Sequence, residues 1–186
     1  GTWSSGAALH ILTHILEVRP DPALLTQKTL VGNSIIALLL QFNGLSEYDL
    51  LHAMRLILAA DTSRTLAASQ NNDGWTALMY ACYNLVQRSG GCVFQVASLL
   101  VEYDGTGSLV LARDGDGWNA LMIACLTGYG LKSKQKRALI ELLLSQDSTG
   151  QTVSDCTTTG WNALMIVCRN KLLNLSDSDV CALIRR

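Results

Sequence analysis

The sequence has almost no net charge, no long apolar run and only two prolines. Its 14 basic side chains nearly balance 15 acidic ones, which leaves no field to attract a polyanion such as nucleic acid. The longest aliphatic run, residues 35–40, is far below the roughly 20 residues that a membrane-spanning helix needs. We therefore expect neither nucleic-acid binding nor membrane insertion.

The motifs of common enzyme classes are also missing. There is no glycine-rich phosphate loop, no Gly-x-Ser-x-Gly elbow and no cysteine–histidine pair in a recognisable setting. The chain of 186 residues is nonetheless 49% hydrophobic, which is enough for a sizeable core in one domain or one short repeat array. We expect a protein without enzymatic activity and without a cofactor.

What the sequence does contain is a segment that recurs every 43 residues. Residues 73–82 read Asp-Gly-Trp-Thr-Ala-Leu-Met-Tyr-Ala-Cys, and close copies occupy residues 116–125 and 160–168. A degenerate copy at residues 32–38 keeps the glycine but lacks the tryptophan. Self-similarity at a fixed period predicts a stack of equivalent structural units.

Each copy is typical of a tight turn followed by a helix. The glycine permits a positive φ, and the Ser, Thr or Asn two residues later can accept an amide at the helix start. The glycines are Gly32, Gly74, Gly117 and Gly160, and the capping residues are Ser34, Thr76, Asn119 and Asn162. A second helix with apolar residues at i, i+3 and i+4 follows, as at Met54, Ile57 and Leu58. Such helix pairs must stack to cover their apolar sides.

Both ends of the chain are expected to be special. Residues 7–18 form an amphipathic pattern that Pro20 and Pro22 end, and a last second helix is expected from Ser178 onward. The first residue is Gly and the final residues are typical of a continuing helix, so we expect an excised fragment. The predicted single domain, 1–186, divides into an N-terminal capping repeat (1–31), a degenerate repeat (32–73), two full repeats (74–116 and 117–159) and a truncated C-terminal repeat (160–186).

The recurring segment resembles the ankyrin repeat. Residues 76–81, Thr-Ala-Leu-Met-Tyr-Ala, match the family's Thr-Pro-Leu-His-x-Ala, with Ala for Pro and Met for His in all three good copies. The period exceeds the usual 33 or so residues, which adds about seven residues between the paired helices and about three before the next turn. The resemblance implies an all-α, ankyrin-like solenoid of stacked helix-turn-helix repeats with short turns or β-hairpin-like fingers.

The resemblance also implies a function. Ankyrin-like folds bind partners through turn tips and the exposed side of the first helices, so we expect a monomeric protein–protein interaction module that binds a protein or peptide on its concave face. The residues carried over are Asn72, Asp73, Trp75, Tyr83, Asn84, Gly115, Asp116, Trp118, Leu126, Thr127, Thr158, Thr159, Trp161, Arg169 and Asn170. Two alternatives stay open: a targeting or regulatory domain of a larger enzyme or effector, and binding on the outer side at residues 87–92 and 128–136.

The three repeated tryptophans allow two interpretations. Trp75, Trp118 and Trp161 could pack against neighbouring turns and stiffen the stack, or they could form an exposed binding stripe, because indole is enriched among residues that dominate binding. Rings roughly 10 Å apart cannot form one cation cage, which needs the charge within about 6 Å of each ring. The packing interpretation is favoured, and both remain open at this stage.

No metal site is expected. His10 and His14 have a spacing that suits zinc, with Glu17 following, but no fourth ligand accompanies them. Residues 114–117, Asp-Gly-Asp-Gly, resemble the start of a calcium loop, but the twelfth position is Cys125 instead of Glu. A turn explains these four residues better.

Cysteines and lysines are interpreted as structural or solvated. Cys82, Cys125 and Cys168 fall in equivalent positions of stacked helices about 8–10 Å apart, beyond the roughly 7 Å between α-carbons that a disulfide allows. We expect buried free thiols and therefore a reducing compartment, the cytoplasm or the nucleus. A basic cluster is expected on a solvated face or, alternatively, as a docking point for an acidic partner. It comprises Lys132, Lys134, Lys136 and Arg137.

Overall fold

The computed structural model describes five stretches of the chain, residues 5–18, 22–42, 44–84, 90–127 and 133–169. Helices are the regular elements of these stretches, and strand-like pairing is confined to one isolated bridge between Arg113 and Asn119. The helices are α1 (Ser5–Val18), α2 (Pro22–Thr26), α3 (Ile35–Gln41), α4 (Glu47–Ala60), α5 (Ala77–Asn84), α6 (Gly90–Asp104), α7 (Ser108–Leu111), α8 (Ala120–Thr127), α9 (Ser133–Gln146), α10 (Gln151–Ser154) and α11 (Ala163–Arg169).

The first helices of the repeats, α3, α5, α8 and α11, stack side by side in that order. At the start of each, the predicted capping side chain accepts the amide three residues later. The donor–acceptor distances are 3.4 Å at Ser34, 3.3 Å at Thr76, 2.9 Å at Asn119 and 2.8 Å at Asn162. The predicted helix starts are therefore confirmed.

The second helices, α4, α6 and α9, pack against the first helices α3, α5 and α8 and against one another. Met54 and Ile57, from the apolar stripe of α4, are fully buried. Helix α1 packs on α4 and so takes the place of a second helix, as expected of an N-terminal capping unit. The prediction of an all-α solenoid of stacked helix pairs is confirmed.

An aspartate at or just after the end of each second helix organises the segment before the next turn. One carboxylate oxygen accepts the hydroxyl of the Ser or Thr two residues later, and the other accepts the amide five residues later. We call these segments the aspartate loops; they are residues 61–66, 104–109 and 147–152. The one-turn helices α7 and α10 begin within the second and third loops, and they lie before the next turn, one of the two places where extra length was expected.

All five cysteines in the described stretches are free thiols. Cys82 and Cys125 are buried as predicted, and burial raises the pKa of both thiols to about 12. The prediction is wrong for Cys168, which is exposed because no further described helix stacks on α11 in the way that α8 stacks on α5. Neither buried thiol is a reactive thiolate at neutral pH.

Further predictions concern membrane insertion, the C-terminal helix and the division into repeats. Within the described stretches, none of the helices combines the length and the apolar character that crossing a membrane would require. The helix expected from Ser178 onward lies outside the described residues, and the division into five repeats stays a prediction.

Candidate functional site

The candidate site is built on four tight turns, one before each first helix. At Gly32, Gly74, Gly117 and Gly160 the backbone φ lies between 80° and 86°, a conformation that residues with a β-carbon rarely adopt. Gly74 carries a second constraint, since a β-carbon there would stand 2.7 Å from the α-carbon of Asp114 in the next turn. The equivalent bends predicted from the glycine spacing are confirmed.

Backbone hydrogen bonds join each turn to the next. The carbonyl of the residue before the glycine accepts the amide of a residue in the following turn. The acceptor–donor pairs are Val31 with Asn72, Asp73 with Gly115 and Asp116 with Thr158, at 3.1, 2.8 and 2.8 Å. The four turns therefore form a continuous ladder, and its hydrogen bonds fix the spacing of the residues at the turn tips.

Within each turn, a side-chain oxygen three residues before the glycine holds the backbone. The Oδ1 atom of Asn71 accepts the amides of Asp73 and Trp75 at 3.0 and 2.8 Å. Asp114 accepts the two equivalent amides at the same distances in the next turn. The position is occupied by Thr29, Asn71, Asp114 and Thr157. This position could not be recognised from the sequence, because its four residues share an oxygen acceptor and not an identity.

The three tryptophans are half-buried, and each packs against the hydrophobic core. The Trp75 ring also lies 5.1 Å from the ring of Tyr80 and 5.5 Å from that of Tyr83. The guanidinium of Arg169 lies 4.9 Å from the centre of the Trp161 ring. Each indole therefore stabilises its own repeat and still leaves part of its surface open to solvent.

The residues predicted from the sequence gather on one surface, which we call the turn face. It consists of the turn tips and the exposed residues of α5, α8 and α11. Its exposed members are Asn72, Asp73, Tyr83, Gly115, Asp116, Leu126, Thr158, Thr159 and Arg169; its half-buried members are Trp75, Asn84, Trp118, Thr127 and Trp161. Asn170 lies outside the described residues.

Two predicted binding residues hold neighbouring repeats together. The hydroxyl of Thr127 donates to the carbonyl of Cys82 in α5 at 2.8 Å or to that of Ile123 in its own helix. The Nδ2 atom of Asn72 donates to the carbonyl of Leu30 at 3.0 Å. These hydrogen bonds give both side chains a structural role in addition to their position on the turn face.

The turn face carries two free carboxylates. Asp73 and Asp116 are exposed, and within the described stretches neither side chain makes a hydrogen bond or an ion pair. Burial raises the pKa of Tyr80, and the carboxylate of Asp73 raises it further. The charge of Asp73 therefore lies close to the ring pair that Trp75 and Tyr80 form.

The basic cluster is solvated as expected at Lys134 and Arg137 but not at Lys136. Lys136 is only 3% exposed, because its ammonium lies at the end of α8 and donates to the carbonyl of Cys125 at 3.3 Å. Burial lowers the pKa of this ammonium to about 8. Lys134 is exposed, and the exposed Arg137 forms an ion pair with Glu141 at 2.8 Å. Lys132 lies outside the described residues.

The candidate metal ligands do not converge. In the described part of the chain, no three His, Cys, Asp or Glu side chains come together in a way that could hold a metal ion. His10 and His14 are exposed on α1, and the side chain of Glu17 lies outside the described residues. Asp114 is engaged in bracing its turn.

The outer side of the stack has a groove that the sequence did not predict. It lies between α4 and α6, measures about 380 Å³, and is lined by Tyr48, Leu51, His52, Arg55, Phe94, Gln95, Ser98, Leu99 and Glu102. The outer segments proposed from the sequence, residues 87–92 and 128–136, lie largely outside the described residues. None of their described residues lines the groove.

Comparison with known proteins agrees with this geometry. A family model described as ankyrin repeats, in three copies, matches residues 32–132, more than half of the chain. The match begins at the first positive-φ glycine and includes the second and third turns. No curated protein sequence was found to match the chain.

Proposed function

Because the chain belongs to the ankyrin-repeat family, we propose that it binds a protein or peptide partner on its turn face, the surface predicted to be concave. Ankyrin repeats are in general protein–protein interaction modules, and the family is typically non-catalytic. In this proposal the chain supplies recognition without chemistry. If the chain is a targeting or regulatory domain of a larger enzyme or effector, the turn face binds that protein's partner.

One observation carries the proposal: large apolar side chains stand exposed at the same position of consecutive first helices. Tyr83 in α5 is 53% exposed and Leu126 in α8 is 38% exposed. Each lies eight residues after a half-buried tryptophan, Trp75 or Trp118. A contiguous row of aromatic and aliphatic surface on a monomer typically marks an interaction site.

The rigidity of the face supports the same conclusion. The turn tips are tied to one another by backbone hydrogen bonds, and the indoles are anchored in the core. A surface that is ordered before binding loses little conformational entropy when a partner docks, so a few anchors suffice for affinity.

The test is mutational and uses the whole chain. Affinity capture with mass spectrometry identifies partners, and titration calorimetry then measures the affinity of each. We expect Trp118→Ala to weaken the partner complex about tenfold or more, because aromatic anchors dominate interface energetics. Circular dichroism and a thermal melt establish that the variant is folded.

Phe94→Ala is the matched control, since Phe94 is an apolar residue exposed in the outer groove. It should leave the affinity unchanged. An unchanged affinity in Trp118→Ala would assign the tryptophans to the stack alone, and a loss confined to Phe94→Ala would move the binding site to the outer side.

We also propose a reducing compartment, the cytoplasm or the nucleus. Every cysteine in the described stretches is a free thiol, and two of the three that lie in the repeated segment are buried in the core. Free core thiols are typical of proteins that are not exposed to an oxidising environment.

A further inference from the structure

The three indoles of the turn face differ in what covers their rings. Trp75 has two aromatic neighbours, Tyr80 and Tyr83, and Trp161 has the guanidinium of Arg169. Among the described residues, the Trp118 ring has neither an aromatic nor a cationic partner of this kind. The central indole is therefore the one whose open surface is available to another molecule.

The C-terminal repeat shows that a guanidinium can lie on an indole of the turn face. Trp161 and Arg169 are eight residues apart, as are Trp118 and Leu126, so Arg169 occupies the position that Leu126 fills in the central repeat. At 4.9 Å from the ring centre, the guanidinium of Arg169 is within cation–π distance. One repeat of this protein thus already pairs an indole with a guanidinium.

Charge at the turn tips favours a cation at the central repeats. The residue before the turn glycine is Asp73 or Asp116 in these repeats and Thr159 in the repeat that holds Arg169. Arg113, three residues before Asp116, already pairs with Asp155 at 3.3 Å. Among the described residues, no cation pairs with either turn-tip carboxylate, so both are left for a cation from outside.

Resting on the proposed function, we propose that the partner of the turn face is an extended basic segment, and that one of its arginines lies on the Trp118 indole beside Asp116. A second arginine reaches Asp73. An arginine fits better than a lysine, because the planar guanidinium stacks on a ring and pairs with a carboxylate at the same time.

The spacing of the repeats sets the spacing of the two arginines. Successive first helices stack about 10 Å apart. An extended polyproline II segment advances about 9 Å in one turn of three residues, so side chains three residues apart project to the same side and match neighbouring repeats. The partner segment that binds Asp73 and Asp116 therefore has the pattern Arg-x-x-Arg.

The probes are two fluorescein-labelled peptides in a Gly/Ser background, used with the 186-residue chain. One carries two arginines three residues apart, and the other carries citrulline, the neutral isostere, in their place. We expect the arginine peptide to bind about tenfold more tightly than the citrulline peptide by fluorescence anisotropy, and salt to weaken it. In a ¹H–¹⁵N spectrum, the Trp118 indole signal should shift with the arginine peptide.

Variants locate the contact. Asp116→Asn should weaken the arginine peptide about fivefold, and the double variant Asp73→Asn, Asp116→Asn about tenfold or more. Neither carboxylate makes a hydrogen bond to any part of the chain that the structure describes, so folding should be unaffected. Glu102→Gln removes an exposed carboxylate from the outer groove and should change nothing.

Equal binding of the two peptides, or an Asp116→Asn variant with wild-type affinity, would overturn the inference. The proposed function would survive if the captured partner complex still depended on Trp118 while the arginine peptide did not bind. If the partner complex were weakened only by Phe94→Ala and the arginine peptide did not bind, the inference and the proposed function would both be wrong.

Discussion

In the described chain, two segments connect one helix pair to the next, an aspartate loop and a tight turn, and both are held by a side-chain oxygen. In the turns, the acceptor changes from repeat to repeat, from Asn71 to Asp114 to Thr157. In the aspartate loops, the acceptor is always aspartate, at positions 61, 104 and 147. The glycines show the opposite pattern. All four turns keep glycine, whereas the left-handed position of the loops holds Gly107, Gly150 and, at a φ of 55°, Arg64.

The difference follows from geometry at the two connections. A turn acceptor uses one oxygen, which an amide or a carboxylate supplies equally well, whereas a loop acceptor uses both oxygens. Conversely, Gly32, Gly74 and Gly117 stand against the backbone of the next turn. At the last turn glycine, Gly160, and at the loop residue Gly150, no described atom lies within 4 Å of where the β-carbon would be. A position is most restricted in residue type where two requirements apply at once, such as hydrogen bonds to both oxygens, or a positive φ together with a close backbone contact.

The largest expected effect comes from adding a β-carbon to a turn. Gly74→Ala should lower the free energy of unfolding by about 3 kcal/mol, since left-handed strain of about 1–2 kcal/mol adds to overpacking against Asp114. Urea denaturation followed by circular dichroism measures this loss.

Gly150→Ala supplies the control for that experiment. It introduces the same backbone strain without a contact, so the expected loss is about 1 kcal/mol. Equal losses in the two alanine variants would mean that the close approach of Gly74 to Asp114 in the next turn does not contribute to the destabilisation.

The next effect concerns the loop acceptor. Asp147 accepts a backbone amide on each oxygen, from Thr149 at 3.0 Å and from Thr152 at 2.7 Å. In Asp147→Asn, the new NH₂ group faces one of these amides in either orientation. We expect a loss of about 1–2 kcal/mol at pH 7, after allowance for solvent screening at this partly exposed site.

This loss should depend on pH. Partial burial raises the pKa of Asp147, but the hydrogen bonds from Thr152 and Thr149 outweigh it and lower the pKa from 3.8 to about 2. A depressed folded-state pKa stabilises the fold above the unfolded-state pKa, and that contribution disappears between about pH 5 and pH 2. The wild type and Asp147→Asn should therefore converge in stability on acidification. A difference that persisted unchanged at pH 2 would contradict the role of the charge.

Much of the fold could be predicted because it depends on local, repeated signals. The four glycines, the capping Ser, Thr and Asn residues and the i, i+3, i+4 stripes each indicate a structure without knowledge of distant neighbours. The aspartate loops could also have been found, since Asp61, Asp104 and Asp147 recur every 43 residues with Ser or Thr two positions later. Their role is visible only once both oxygens are seen to be used.

The site was less predictable because it depends on what lies beside each side chain in space. Lys136 sits in a run of cations, and nothing in that run indicates that its ammonium reaches the end of α8. Thr127 lies on the predicted face but is used between repeats. The unequal surroundings of Trp75, Trp118 and Trp161 follow from the residues five and eight positions later, a relation that spacing alone does not single out.

The smallest expected effect is the sharpest test of the comparison. Asp114→Asn makes the same chemical change as Asp147→Asn, but at a turn. In the preceding turn, Asn71 occupies the equivalent position and accepts the two equivalent amides at the same distances. The amide oxygen can keep both backbone hydrogen bonds, so the free energy of unfolding should change by less than about 0.5 kcal/mol. Urea denaturation of the two variants side by side gives the answer. A loss at Asp114 as large as that at Asp147 would show that charge, and not the number of oxygens in use, decides where aspartate is required.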